Sequence, residues 1–220
     1  MSLSEFDDEV LERLAHVELP FVVAGGWPLS QVVPQARTKD LDVFVQRDPS
    51  GFLSELGVPA DEIERLSPTV ARAGRVEAIR FQPVAGELRG SVISSFDFGI
   101  LQVGYLPELD SWIVTDLWRE HAASGLIEFD PEENPFQRPV RAQNRVKKMM
   151  QKLGWEVGPE VLRFMRYRAD AGFELTPPEG GEVFQRRLRR WSYASLQELQ
   201  SWVQPTEGGA RHPLELIQGV

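Results

Sequence analysis

The sequence predicts a mixed α/β front, residues 1–138, followed by a basic helical region, residues 139–220. Three observations carry that division. The front holds short apolar runs closed by glycines, the pattern of buried strands. From residue 139 onward the apolar residues recur at helical spacing. The charge changes as well: residues 1–135 hold 24 acidic and 10 basic side chains, whereas residues 136–220 hold 9 and 14. Such asymmetry fits two regions with different tasks, or basic helices that simply present solvated faces.

Taken in order, Ser4–Val17 reads as a helix with Phe6, Val10, Leu11 and Leu14 on one stripe and Ser4 as its cap. Phe21–Ala24 is a buried strand ended by Gly25 and Gly26. A turn or two of helix from Pro28 to about Gln35 follows, stopped by Pro34. Leu41–Val45 is a second strand. Ser50–Leu56 and Asp61–Leu66 read as helices, and Val76–Val84 and Val92–Tyr105 as extended segments. Thr115 caps a helix running to Ser124. The stretch Asp130–Pro139, with three prolines, reads as a linker. Beyond it, Val140–Leu153, Pro159–Arg168, Gly181–Arg190 and Leu196–Val203 read as helices, the last with Ser195 and Glu198 as a capping box. Thr176–Glu182 is a loop.

Composition narrows the function. A chain of 220 residues with 42% hydrophobic residues suits a globular fold with one sizeable core or two small ones. No apolar run reaches the roughly 18 residues of a membrane span. The acidic start, Met1–Val10, lacks the pattern of a secretory signal. There are no cysteines, which removes disulfides, thiolate chemistry and cysteine zinc sites and fits a reducing cytoplasm. His16, His121 and His212 are too scattered in sequence to suggest a histidine metal site.

The segment AGGWPLSQVVPQARTKDLDVFVQ, Ala24–Gln46, carries the chemistry. On a strand, residues two apart share a face, so Asp40 and Asp42 project together while Leu41, Val43 and Val45 enter the core. Two adjacent carboxylates repel unless a proton or a cation joins them. Hard oxygen ligands suit Mg²⁺, which binds through one or two carboxylates plus substrate phosphates. Gly25 and Gly26, between a strand and a helix, let backbone amides approach a phosphate. Arg37 and Lys39 stand where they could meet a triphosphate. Asp97, set between two phenylalanines in Ser94–Tyr105, is costly in an apolar strand unless paired or metal-bound. It is the candidate third carboxylate, or else a residue at a bulge or wet edge.

A strand, a Gly-Gly turn, the run KDLDVFV and a later aspartate in FDF resemble the DNA polymerase β-like nucleotidyltransferase superfamily. The nearer likeness is to small phage and bacterial nucleotidyltransferases. The more distant one is to the head domain of tRNA CCA-adding enzymes and poly(A) polymerases. The resemblance covers roughly residues 20–105. It implies a mixed sheet with flanking helices and two Mg²⁺ ions, or Mn²⁺, held by Asp40, Asp42 and Asp97. It also implies transfer of a nucleoside monophosphate from a nucleoside triphosphate to a hydroxyl on an RNA end, a protein or a small molecule. Gly25 and Gly26 match the phosphate-binding turn. The tRNA-type head follows its glycines with an Arg-Asp pair; here Trp27–Gln31 reads WPLSQ. Trp27 either stacks on a base or packs the turn.

In the basic region, Arg138, Arg141, Arg145, Lys148 and Lys152 recur at spacings of three or four and share a helix face. Arg186, Arg187, Arg189 and Arg190 form a second group beside Trp191 and Tyr193. These either contact nucleic acid or pair with the acidic front. The competing reading is a nucleotidyltransferase fold that has lost transfer activity and binds nucleic acid or a protein partner, as in a phage-defence or toxin–antitoxin pair.

Overall fold

The computed structural model describes residues 3–18, 20–33, 35–36, 38–83, 86–132, 135–170 and 188–203. Helix α1 (Leu3–Ala15) leads to strand β1 (Phe21–Ala24), helix α2 (Gly26–Val32), strand β2 (Leu41–Val45) and helix α3 (Pro49–Glu55). Strands β3 (Glu64–Ser67), β4 (Val70–Ala73) and β5 (Val76–Arg80) follow as a meander. Next come α4 (Leu88–Ile93), β6 (Val103–Leu106), β7 (Ser111–Thr115), α5 (Asp116–Ser124) and β8 (Leu126–Ile127). The remainder contributes α6 (Pro139–Leu153), β9 (Glu156–Val157), α7 (Pro159–Asp170), β10 (Trp191–Ala194) and α8 (Leu196–Trp202). None of the helices among the described residues is long and apolar enough to cross a membrane.

Eight strands form one mixed sheet in the order β10-β7-β6-β1-β2-β5-β4-β3. Strands β2 and β5 run parallel, and the other neighbours are antiparallel. Strand β1 lies near the centre and is buried along its whole length. Phe21 and Val23 feed one core, and Val22 and Ala24 feed a smaller one on the opposite face with Leu88, Val92, Ile93 and Ile113. Strand β2 alternates instead: Leu41, Val43 and Val45 are buried, and Asp42 and Phe44 are only partly covered. That alternation puts a carboxylate on one face of a strand whose other face is apolar.

Three expectations from the sequence need correction. Asp61–Leu66 is not helical: a short 3₁₀ turn, Ala60–Glu62, gives way to β3, because Glu64 and Arg65 find partners in Arg72 and Ala71 of β4. Val92–Tyr105 is not one extended segment. Buried helix α4 ends at Ile93, a 3₁₀ turn covers Gly99–Leu101, and only Val103–Leu106 is strand. Burial of Leu88, Val92 and Ile93 against the sheet overrides the strand preference of their β-branched members.

The third correction concerns the region after residue 138, which is not purely helical. Strand β10 extends the main sheet beside β7, and β9 pairs with β8. Side chains of α6 and α7, such as Val146, Leu153 and Phe164, belong to the same core as Val23 and Val43. The two regions therefore share a sheet and a core. Asp130, at the start of the expected linker, is buried and bound by Arg189, whose Nε donates at 2.9 Å. Most of the expected helix Gly181–Arg190 and the loop Thr176–Glu182 lie outside the described residues, and Leu188–Arg190 forms no regular element.

Caps that the sequence announces are in place. Ser195 Oγ accepts from the Glu198 amide, and Glu198 returns the contact to the Ser195 amide at 2.7 Å. Thr115 Oγ1 accepts from the Trp118 amide at 3.1 Å and donates to Gln102 Oε1 at 2.8 Å. Gln102 in turn donates to Asp130 at 2.7 Å. Both Thr115 and Gln102 are fully buried, so each polar atom needs its partner. Thr115→Val keeps the shape, removes the cap and strips a donor from Gln102. It should cost about 1–3 kcal/mol, read as a lower urea midpoint at neutral pH. An unchanged midpoint would show that this chain of bonds contributes nothing to stability.

Candidate active site at the Gly25–Gly26 turn

Strand β1 ends at Ala24, and Gly25 turns the chain with φ +85° and ψ −127° into α2. That conformation is open to glycine and strained for other residues. The turn also needs the space. A Cβ on Gly25 would lie 2.9 Å from Asp42 Oδ2 and 3.7 Å from Phe96 Cζ. A Cβ on Gly26 would lie 2.8 Å from both Lys152 Nζ and Thr38 Oγ1. The glycine pair thus leaves its backbone bare in front of a carboxylate and an ammonium group.

Asp42 sits in register with Ala24 on one side and with Glu77 of β5 on the other. Glu77 is in turn opposite Arg72 of β4, whose Nε donates to Glu77 Oε1 at 2.9 Å. A row of Arg72, Glu77 and Asp42 therefore crosses three strands on one face. Burial, then the negative charges of Glu77 and Asp40, push the Asp42 carboxyl up to about 7; Lys152 and Arg72 oppose the shift. Asp40 precedes the strand and is exposed, with its carbonyl accepting from Thr38 Oγ1 at 2.9 Å.

The cation comes from elsewhere in the chain. Lys152 lies in the last turn of α6, a helix anchored through Ala142, Val146, Met149 and Leu153. Burial holds its ammonium below the usual lysine range, and Asp42 and Asp40 oppose that shift.

The other residues singled out from sequence fall as follows. Lys39 is exposed, and its carbonyl accepts from Arg75 Nε at 2.7 Å. Arg37 lies outside the described residues. Trp27 is 5% exposed and packs between Trp112, ring centroids 6.1 Å apart and nearly parallel, and Tyr105 at 5.7 Å.

Asp97 is not on a strand. It occupies the loop between α4 and the turn Gly99–Leu101, so strand alternation does not aim it at β2. Its Oδ1 lies 2.8 Å from Arg145 Nη2 of α6, an ion pair without hydrogen-bond alignment. Burial raises its carboxyl, and Arg145 and Arg141 oppose that. Among the described residues no three acidic, histidine or cysteine side chains come together as a metal-binding group, so the expected trio of Asp40, Asp42 and Asp97 does not form. Asp40 and Asp42 remain as a hard-oxygen pair. Such a pair suits Mg²⁺ completed by substrate phosphates.

Sequence reading missed Glu77, Arg72 and Lys152. Glu77 was visible as a polar residue in an alternating strand, but its place beside Asp42 depends on a parallel pairing between residues 35 positions apart. Lys152 was read only as one member of a basic helix face. The acidic-pairing alternative holds for part of that face: Arg145 meets Asp97, and Lys152 looks toward Asp42 and Asp40.

No protein-family model and no curated protein sequence matches the chain. Solved structures do. A CCA-adding enzyme in complex with ATP has a TM-score of 0.60 at 14% identity, over 79% of this chain and 43% of that one. The Bacillus stearothermophilus CCA-adding enzyme with CTP has a TM-score of 0.60 at 14% identity, over 77% of this chain and 44% of that one. The Thermotoga maritima CCA-adding enzyme complexed with tRNA has a TM-score of 0.58 at 16% identity, over 74% and 42%. The chain spans less than half the length of these enzymes. At such identities the likeness is one of fold: a nucleotidyltransferase-like mixed sheet with flanking helices.

Two outcomes follow from this geometry. Gly25→Ala should cost about 1–3 kcal/mol, because it combines a strained backbone with a clash at Asp42, and urea unfolding reads it directly. A loss below a few tenths would contradict the glycine requirement. The second outcome concerns pH. The folded Asp42 carboxyl titrates above its unfolded value of 3.8, so folding takes up a proton. This contribution to stability is full below about pH 4 and is lost as pH climbs through about 7. In metal-free buffer, Asp42→Asn should therefore melt higher than wild type at pH 8 and equal to it at pH 4. A lower melt for Asp42→Asn at pH 8 would show that the ionised carboxylate is stabilising.

Proposed function

We propose that the chain is a metal-dependent nucleotidyltransferase of the DNA polymerase β-like kind, moving a nucleoside monophosphate from a nucleoside triphosphate to a hydroxyl acceptor. One observation carries this reading: in a nucleotidyltransferase-like fold, Asp42 is held partly buried next to Asp40 and Glu77, facing a bare Gly-Gly turn. Like charges placed together against their own repulsion mark a functional site more often than a structural one.

In this reading Asp42 and Asp40 hold Mg²⁺ or Mn²⁺, and Glu77, paired with Arg72, adds negative charge from the next strand. The metal, when bound, neutralises the triphosphate and stabilises charge on the attacking and leaving oxygens. Gly25 and Gly26 let the backbone approach the phosphates. Lys39, exposed beside the pair, steers the polyanion in. Asp97 acts at one remove, positioning α6 through Arg145. The acceptor is an RNA end, a protein or a small molecule, with exposed Arg141 and Lys148 of α6 offering positive charge to an RNA backbone. The cytoplasm is the expected compartment, given a sequence without cysteine.

A second reading rests on two features. Trp27–Gln31 lacks the Arg-Asp pair, and a protein cation already faces Asp42 and Asp40. Both suit an inactive fold that binds nucleic acid or a protein partner.

Incubation with each radiolabelled nucleoside triphosphate, Mg²⁺ and a cell extract separates the two. Transfer predicts label on an acceptor with wild type and background label with Asp42→Asn. Mg²⁺ with the preferred nucleotide should also raise the melting temperature of wild type, since a ligand at a hundredfold excess over Kd stabilises by about 2.7 kcal/mol. No label and no melting shift with any nucleotide would favour the binding module.

A further inference from the structure

We propose that Lys152 is the phosphate-binding cation of this site, so that α6, from the far side of the sequence, completes the nucleotide pocket. This inference rests on the nucleotidyltransferase reading and names a residue for it. The observations are geometric. Lys152 Nζ stands 2.8 Å from where a Cβ of Gly26 would be, directly over the turn. The turn itself continues as WPLSQ, which supplies no cation. Thr38 Oγ1 lies at the same distance from that Cβ position. Among the described residues the Lys152 ammonium makes neither a hydrogen bond nor an ion pair within 4 Å, although it is largely withdrawn from water.

A partly buried ammonium needs anionic partners to offset its lost hydration. Asp42 and Asp40 act on it only at longer range, and both are committed to the divalent cation in the working site. The remaining anion that fits between the glycine turn and the carboxylate pair is the polyphosphate of the substrate. Lysine suits that task as a compact point charge that meets any phosphate oxygen. The position also accounts for the second glycine. Gly26 has an ordinary φ, so its need is space, and what fills the space is Lys152 and Thr38. A helix anchored by four buried residues holds the lysine stem in place, so the charge is presented before the substrate arrives.

The test is calorimetric binding to the full chain without acceptor. The probes are the magnesium salts of ATP, CTP, GTP and UTP and the four matching monophosphates. Wild type should bind at least one triphosphate more tightly than its monophosphate. Lys152→Met, which keeps the aliphatic stem, should weaken that triphosphate by about tenfold, or about 1.4 kcal/mol, and leave the monophosphate unchanged. Lys152→Gln should behave alike, and Lys152→Arg should keep most of the preference. If both neutral variants bind the triphosphate as wild type does, or lose triphosphate and monophosphate equally, Lys152 is not a phosphate ligand, while the nucleotidyltransferase reading stands. If wild type binds none of the four triphosphates, that reading falls and the Lys152 assignment falls with it.

Discussion

Everything near the site is arranged around one unfavourable placement: a carboxylate in mid-strand, Asp42, with Glu77 beside it and Asp40 ahead of it. A strand this close to the centre of a sheet has no room to turn the side chain away. Its alternate residues Leu41, Val43 and Val45 must stay in the core, so Asp42 must stay on the opposite face. The repulsion is tempered from both directions. Arg72 holds Glu77 across the β4–β5 ladder, and Lys152 faces Asp42 from α6. The carboxyl nevertheless titrates near neutrality, which leaves the site poised between proton and cation.

The rest of the fold keeps that arrangement rigid. Asp97 and Arg145 join the loop after α4 to α6, and so fix the helix that carries Lys152. Arg189 binds Asp130 and donates its amide to Ser94 at 3.0 Å, drawing the start of β10 onto the α/β core. Gln102 links Asp130 to Thr115, so the same buried network also caps α5. The acidic front and the basic remainder are therefore complementary parts of one structure. Their opposite charges meet in named pairs across it.

How much of this was legible in the sequence depends on range. Local signals read well. The strands Phe21–Ala24 and Leu41–Val45, the Thr115 cap and the Ser195–Glu198 box are where their patterns put them. Periodicity of two placed Asp42 opposite the core. The errors came where tertiary contacts decide. Val92 and Ile93 favour strands by type but are drawn into a helix by the small core above β1. Asp97 looked like a strand residue because the segment around it is rich in Val, Ile and Phe. Trp27, open in sequence between stacking on a base and packing the turn, fills a gap between Tyr105 and Trp112. Glu77 and Lys152 could not be assigned at all, because strand pairing and helix docking bring together residues far apart in the chain, and no local pattern records that.

The central claim is that Asp40 and Asp42 form a cation site whose partner is a nucleotide lying on the Gly25–Gly26 turn. Anomalous diffraction from crystals grown with Mn²⁺ and a non-hydrolysable nucleoside triphosphate tests it most directly. The account predicts a manganese peak bonded to Asp42 and Asp40, with phosphate density over Gly26 and beside Lys152. A site without manganese, in which the Lys152 ammonium has closed onto the two carboxylates, would contradict it.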